Sequence, residues 1–265
     1  MQKLERLQTL VNEWSNCQKC PLLCNERKNV VFGYGQFDKV PIYDHNINRQ
    51  IGFGGQVLII GEAPGANEDE QGHPFVGKSG MLLNQYLASV SARPEVREKL
   101  AEINKESSSE RTQRLDYELR QLLIQEFFFT NVISCHPPEN RDPTPKEVAA
   151  CRPRLLETIY IVDPVIIIAV GRIAVESLLG RKISITGVRG ELFDVPVPGR
   201  LLGRNLTYPL IATLHPSYLM RKNDFNQKGG EGAKTFHDFL RAVKLVDDYN
   251  FRNFGIPHPD RREDE

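Results

Sequence analysis

Three groups of residues in this chain have side chains and spacings suited to chemistry. The first is the loop Gly61-Glu62-Ala63-Pro64-Gly65, continued by Gly72-His73-Pro74-Phe75-Val76-Gly77-Lys78-Ser79-Gly80. Its five glycines and two prolines let backbone approach a ligand closely and fix the loop's shape. The second is Leu214-His215-Pro216-Ser217, a histidine in a turn that follows an apolar run. The third is a set of five cysteines: Cys17, Cys20, Cys24, Cys135 and Cys151. The pair Cys17-x2-Cys20 can turn two thiolates toward one ion or cluster. Four separated thiolates can enclose zinc or an iron–sulfur cluster. The fifteen residues between Cys135 and Cys151 favour the cluster, because zinc sites more often use two close pairs. Four ligands suffice, so Cys24 reads as a free thiol.

These groups need a scaffold, and the apolar pattern supplies one. Val57–Ile60, Phe127–Ile133, Val165–Val170 and Leu210–Leu214 are short, nearly continuous apolar runs, as parallel strands covered on both faces are. Helical patterns separate them at 2–16, 79–90, 93–124, 145–160, 171–179 and 232–247. Thr144-Pro145-Lys146-Glu147 has the form of a capped helix start, and Pro153 predicts a kink further on. Residues 33–56 read as an irregular loop, and residues 183–209 as a hairpin or loop. The β–α alternation predicts an α/β fold, a three-layer αβα sandwich around a four-stranded parallel sheet. Ligands of such sheets bind at the carboxyl ends of the strands, where the glycine-rich loop begins. The expected organisation is one domain over 1–249 and a poorly ordered tail over 250–265.

Composition narrows the function class. Apolar content is 40% and charged content 26%, ordinary values for a globular chain. No apolar run reaches the ~18 residues of a membrane span, and the charged, amphipathic N-terminus has no signal-peptide pattern. A cytoplasmic protein without membrane contact, monomeric, is expected. Formal net charge is zero, yet residues 171–228 hold nine Lys/Arg against four Asp/Glu. A one-sided basic face is the footprint of polyanion binding.

Taken in order, the motifs resemble the uracil-DNA glycosylase superfamily, most closely its iron–sulfur family four. The matching pieces are Cys17-x2-Cys20-Pro21, Gly61-Glu62-Ala63-Pro64-Gly65 with Glu68-Asp69, and Gly72-x-Pro74-Phe75-Val76-Gly77-Lys78-Ser79-Gly80. Thr130-Asn131-Val132, Cys135, Pro137-Pro138, Asn140-Arg141-Asp142-Pro143, Cys151 and His215-Pro216-Ser217 complete the set. Residues 36–54 and 92–122 look like insertions.

The resemblance implies a DNA repair enzyme that flips uracil out of double- or single-stranded DNA and hydrolyses its N-glycosidic bond. It implies a 4Fe-4S cluster on Cys17, Cys20, Cys135 and Cys151. Phe75 would stack on uracil, and the Asn131 amide would accept from N3–H and donate to O4, a pattern cytosine cannot meet. His215 would donate to O2 as negative charge develops there. Glu62 and Ala63 occupy the first-loop positions that orient water in other branches; Glu62 would shape the site and hold water. Glu68 would lie beside uracil C5 and exclude the thymine methyl. Leu219 would be the wedge that fills the gap left by the flipped base. Ser217, Arg221 and Lys78 would contact phosphates. The segment after Cys135 lacks the basic run of the branch that bonds covalently to DNA, so ordinary turnover is expected.

Two rivals differ in class. A non-catalytic DNA-binding protein of this fold would have lost Phe75, Asn131 or His215; all three are present. A dinucleotide enzyme would carry G-x-G-x-x-G, which the loop lacks.

Overall fold

The computed structural model describes residues 2–37, 41–44, 49–53, 55–198, 205–222 and 229–256. Helices α1 (Gln2–Trp14) and α2 (Pro21–Glu26) lead into a short strand, β1 (Tyr34–Gly35), and a hairpin, β2 (Pro41–Asp44) and β3 (Arg49–Phe53). Then follow β4 (Val57–Gly61), α3 (Ala66–Gln71), α4 (Lys78–Val90), α5 (Pro94–Lys105), α6 (Ser109–Leu123) and β5 (Phe127–Asn131). After a 3₁₀ turn at Pro138–Asn140 come α7 (Pro145–Val162), β6 (Ile166–Val170), α8 (Arg172–Leu179), α9 (Ile185–Val188), β7 (Leu192–Val197) and β8 (Leu206–Thr213). The chain continues in α10 (Pro216–Lys222) and α11 (Glu231–Phe254).

The main sheet runs β1-β5-β4-β6-β8-β7. Its four inner strands are parallel; β1 and β7 pair antiparallel at the two edges. The expected four-stranded sheet is therefore the interior of a mixed six-stranded one. Both edges escaped the apolar-run criterion for physical reasons. Strand β1 has only two residues. Strand β7 is exposed on one face only, with Val195 and Val197 buried on the other, and contains Pro196, which an edge strand tolerates. Part of the segment expected to be an irregular loop forms β1, β2 and β3.

Strand residues alternate between two apolar layers, as the pleat requires. Val57, Ile59, Phe127, Phe129, Ile166 and Ile168 pack with α4, α5, α6 and α11. Leu58, Ile60, Phe128, Ile167 and Ala169 pack with α7 and α8. Each Val, Leu, Ile or Phe among them contributes about 1.5–3 kcal/mol on full burial, so the inner strands form a rigid platform. The segment 92–122 is no surface ornament, because Val96, Ile103, Leu115 and Leu119 join the α4 layer. Helix α7 continues through Pro153 to Val162. Helix α11 passes the expected start of the tail, and Asn250 is buried on it, bonded to Gln56. The remainder of the expected tail, 257–265, lies outside the described residues, as do parts of the 36–54 insertion.

Candidate active site

Because β4, β5, β6 and β8 are parallel, their carboxyl ends meet at one edge of the sheet. A cleft of about 780 Å³ opens there. Glu62 and Ala63 follow β4, Asn131 ends β5, Gly171 and Arg172 follow β6, and His215 follows β8; all line the cleft.

The first wall is fixed by its backbone. Gly61 pairs with Asn131 across β4 and β5. A Cβ at Gly61 would overlap both Asn131 Oδ1 and the Phe75 ring, so glycine is what lets the amide and the ring converge over the strand end. Phe75 adopts φ 58°, a conformation costly for a bulky residue. Gly80 makes room for it, since a Cβ there would overlap the Phe75 backbone. The Glu68 carboxylate accepts from the N–H groups of Gly65 (3.1 Å), Val76 (3.0 Å) and Gly77 (2.8 Å). One side chain thus ties the start of the loop to its end. Such charge-assisted bonds are worth roughly twice a neutral bond.

Glu62 lies further along this wall. Burial, followed by the neighbouring Asp142 carboxylate, pushes its pKa up to about 7, against an opposing effect of Arg172. Arg172 is itself bonded to Asp142 at 2.8 Å.

His215 forms the second wall. Its Nδ1 accepts from the Ser217 N–H at 3.2 Å and lies 2.8 Å from Ser217 Oγ. Burial, then the nearby Arg221 cation, lowers its pKa to about 4. The imidazole is therefore neutral at pH 7. With Nδ1 accepting, its proton sits on Nε2, the arrangement of a neutral hydrogen-bond donor.

The cysteines gather behind the cleft, where the N-terminal segment meets α7. Asp69 of α3 accepts from the backbone N–H groups of Lys28 (2.8 Å) and Asn29 (3.0 Å), holding that segment to the first wall. Burial raises the Cys20 pKa to about 11, and Cys151, Cys135 and Cys17 add to the effect. Cys20 thus lies within electrostatic reach of the other three. Arg27 donates to Cys135 Sγ (3.0 Å) and to the Cys17 carbonyl (2.7 Å). The Cys24 thiol instead donates to the Cys17 carbonyl at 3.2 Å. Among the described residues, no three His, Cys, Asp or Glu side chains converge on one metal-ion position.

A family model described as the uracil DNA glycosylase superfamily matches residues 51–244. The chain belongs to the uracil DNA glycosylase superfamily. Among its relatives, a type-4 uracil-DNA glycosylase of Thermotoga maritima is 35% identical over 219 residues, covering 82% of this chain and 85% of the relative. One from Pyrobaculum aerophilum is 34% identical, covering 83% and 85%. One from Archaeoglobus fulgidus is 28% identical, covering 89% of this chain and all of the relative.

Within this uracil DNA glycosylase fold, Glu62, Ala63, Glu68, Phe75, Asn131, His215, Ser217, Lys78 and Arg221 all line the cleft. Two expectations change. Glu68 is no free side chain, because its carboxylate is committed to the loop's backbone. Leu219 is fully buried and packs in the α4 layer, so it is not available as a wedge. The next residue on α10, Met220, is exposed instead. Asn140, Arg141 and Arg172 also line the cleft without having been singled out as site residues. Arg141 makes a two-pronged bond to Glu147 (2.9 and 2.7 Å), the residue that closes the α7 capping box. The available signal was position: Asn140 and Arg141 lie in a proline-rich segment after β5, and Arg172 directly follows β6.

Proposed function

We propose that this chain is a monofunctional uracil-DNA glycosylase, releasing uracil from DNA and leaving an abasic site. The observation that carries the reading is the convergence of the Asn131 amide and the Phe75 ring over Gly61, facing a neutral His215 in one cleft. A uracil stacked on Phe75 presents N3–H and O4 to an amide that accepts and donates. Cytosine reverses that pattern and leaves buried polar groups unpaired. His215 Nε2–H donates to O2.

In the reaction a water oxygen adds to C1′ of the sugar as the N1–C1′ bond breaks. The electron pair departs with uracil, which leaves as an anion spread over N1, O2 and O4. A neutral donor at O2 stabilises that anion as it forms. Glu62, ionised above about pH 7, takes the proton from the water. Arg172 favours that ionised form. Glu68 holds the loop at fixed width, so exclusion of the thymine methyl rests on a rigid wall. Met220 is the exposed apolar side chain of α10 suited to fill the gap left by the flipped base. Lys78, Ser217 and Arg221 serve the DNA backbone.

Cys17, Cys20, Cys135 and Cys151 fit a 4Fe-4S cluster. Cys17, Cys135 and Cys151 all act electrostatically on Cys20, and the Arg27 guanidinium donates to the Cys135 sulfur as it would to a thiolate. The cluster would bind the N-terminal segment to α7 as a structural clamp. Cys24 stands outside the ligand set. A monomer in the cytoplasm acting on single- or double-stranded DNA completes the reading.

The test uses fluorescent oligonucleotides carrying one uracil, thymine or cytosine, incubated with the protein and treated with alkali. Cleavage at uracil alone is the expected result. No cleavage by folded, iron-loaded protein would favour a DNA-binding protein without catalysis.

A further inference from the structure

Strand β8, which leads into His215, loses its outer partner before it ends. Its pairing with β7 extends only to Ile211, whereas its pairing with β6 continues to Thr213. Thr213 is fully buried. Its carbonyl accepts from the Gly171 N–H at 2.9 Å, and its hydroxyl donates to Asp238 Oδ2 of α11 at 2.7 Å. Asp238 thus holds the strand end two residues before His215, at the point where β7 no longer does.

The carboxylate is itself held in place. It is buried, and Arg189 Nη2 donates to Oδ2 at 2.6 Å. Gly190, at φ 74°, makes room for it, since a Cβ there would lie 2.7 Å from Asp238 Oδ1. Buried ion pairs contribute little net stability, because desolvating both charges offsets their attraction. What this pair supplies is a fixed anionic acceptor turned toward the Thr213 hydroxyl, and such bonds are the strong ones. Arg189 caps α9, whose Ile185 lines the cleft, so one carboxylate braces two elements bordering the second wall.

The chain has little freedom between Thr213 and the imidazole. Leu214 is buried in the core. A Cβ at Gly171 would lie 3.0 Å from the His215 Cβ, so the histidine packs directly against the start of α8. A displaced Thr213 would therefore displace His215.

We propose that Asp238 is a positioning residue for His215: through Thr213 its carboxylate fixes the end of β8, and with it the place of the imidazole against O2 of the base. The proposal rests on the glycosylase reading above. A donor stabilises the leaving anion most when it already lies where charge develops. Asp238 acts from α11 and does not itself line the cleft.

The experiment reads the single-turnover rate of uracil excision at saturating protein, with thermal stability alongside. The variants are Thr213→Val, Thr213→Ser and Asp238→Ala, with Thr213→Val also made in a His215→Ala background. Thr213→Val removes the hydroxyl at nearly constant shape and leaves the Asp238–Arg189 pair intact. It is expected to slow excision about tenfold, a part of the ~10²-fold that a misplacement of about 1 Å can cost. Thr213→Ser keeps the hydroxyl and should return the wild-type rate. In the His215→Ala background the valine should cost nothing further, because the group it displaces is gone. Asp238→Ala is expected to slow excision at least as much as Thr213→Val, which decides alone should the alanine variant not fold. A wild-type rate in either folded variant would overturn the proposal. So would a serine variant as slow as the valine one, or an equal valine penalty with and without His215. Failure of the wild type to release uracil would overturn the glycosylase reading instead, and is seen before any variant is made.

Discussion

The two walls of the cleft are built on different principles. In the first, Glu68 locks backbone N–H groups at both ends of the loop, and Gly61 and Gly80 let Phe75 press against β4 and α4. Its shape belongs to the backbone. The second wall is His215 and the short helix α10 that follows it, whose side chains divide the labour. His215 and Ser217 bond to each other, Leu219 anchors the helix in the core, and Met220 and Arg221 lie at its exposed side. A base-reading pocket gains from being fixed in advance, because a misplacement of about 1 Å can cost 10²-fold in rate. A DNA-contacting wall needs side chains that can reach.

That contrast can be broken at chosen residues. The largest effect among them belongs to His215→Ala, which removes the donor at O2 and should slow single-turnover excision about 10²- to 10³-fold. Because its imidazole is neutral down to about pH 4, His215 should contribute no limb to a rate profile between about pH 5 and 9. Next comes Glu62→Gln, expected to cost about 10²-fold. The wild-type rate should rise with pH through about 7 as Glu62 ionises, and the glutamine variant should lose that limb. A limb that persists would remove Glu62 from proton transfer. Smallest is Met220→Ala, which should weaken uracil-duplex affinity about fivefold, the loss of roughly 1 kcal/mol of apolar contact, with the excision rate at saturation nearly intact. Leu219→Ala should instead lower thermal stability, because it opens a cavity in the α4 layer.

The inner strands were readable because both their faces are buried, which makes Val57–Ile60 and Ile166–Val170 continuous apolar runs. The edges were not, since a strand exposed on one face, such as Leu192–Val197, alternates and carries no such run. The site's loops declared themselves through glycine and proline. What could not be read was tertiary. Tyr218, Leu219 and Met220 are three apolar neighbours, and only the packing of α10 on α4 decides which one faces solvent. Glu68 looks like any acid near a helix start until Val76 and Gly77 are folded back onto it. Arg154, a cation in an amphipathic helix, resembles a surface residue until α7 is seen to bury it.

The most direct test of catalysis is what leaves the cleft. Wild type and Asn131→Ala would be incubated in single turnover with a duplex bearing one uracil, and free base and abasic sites counted together. One free uracil is expected for each abasic site, with Asn131→Ala slower by at least about 10²-fold. No release of uracil by the folded wild type, or equal release by both proteins, would contradict it.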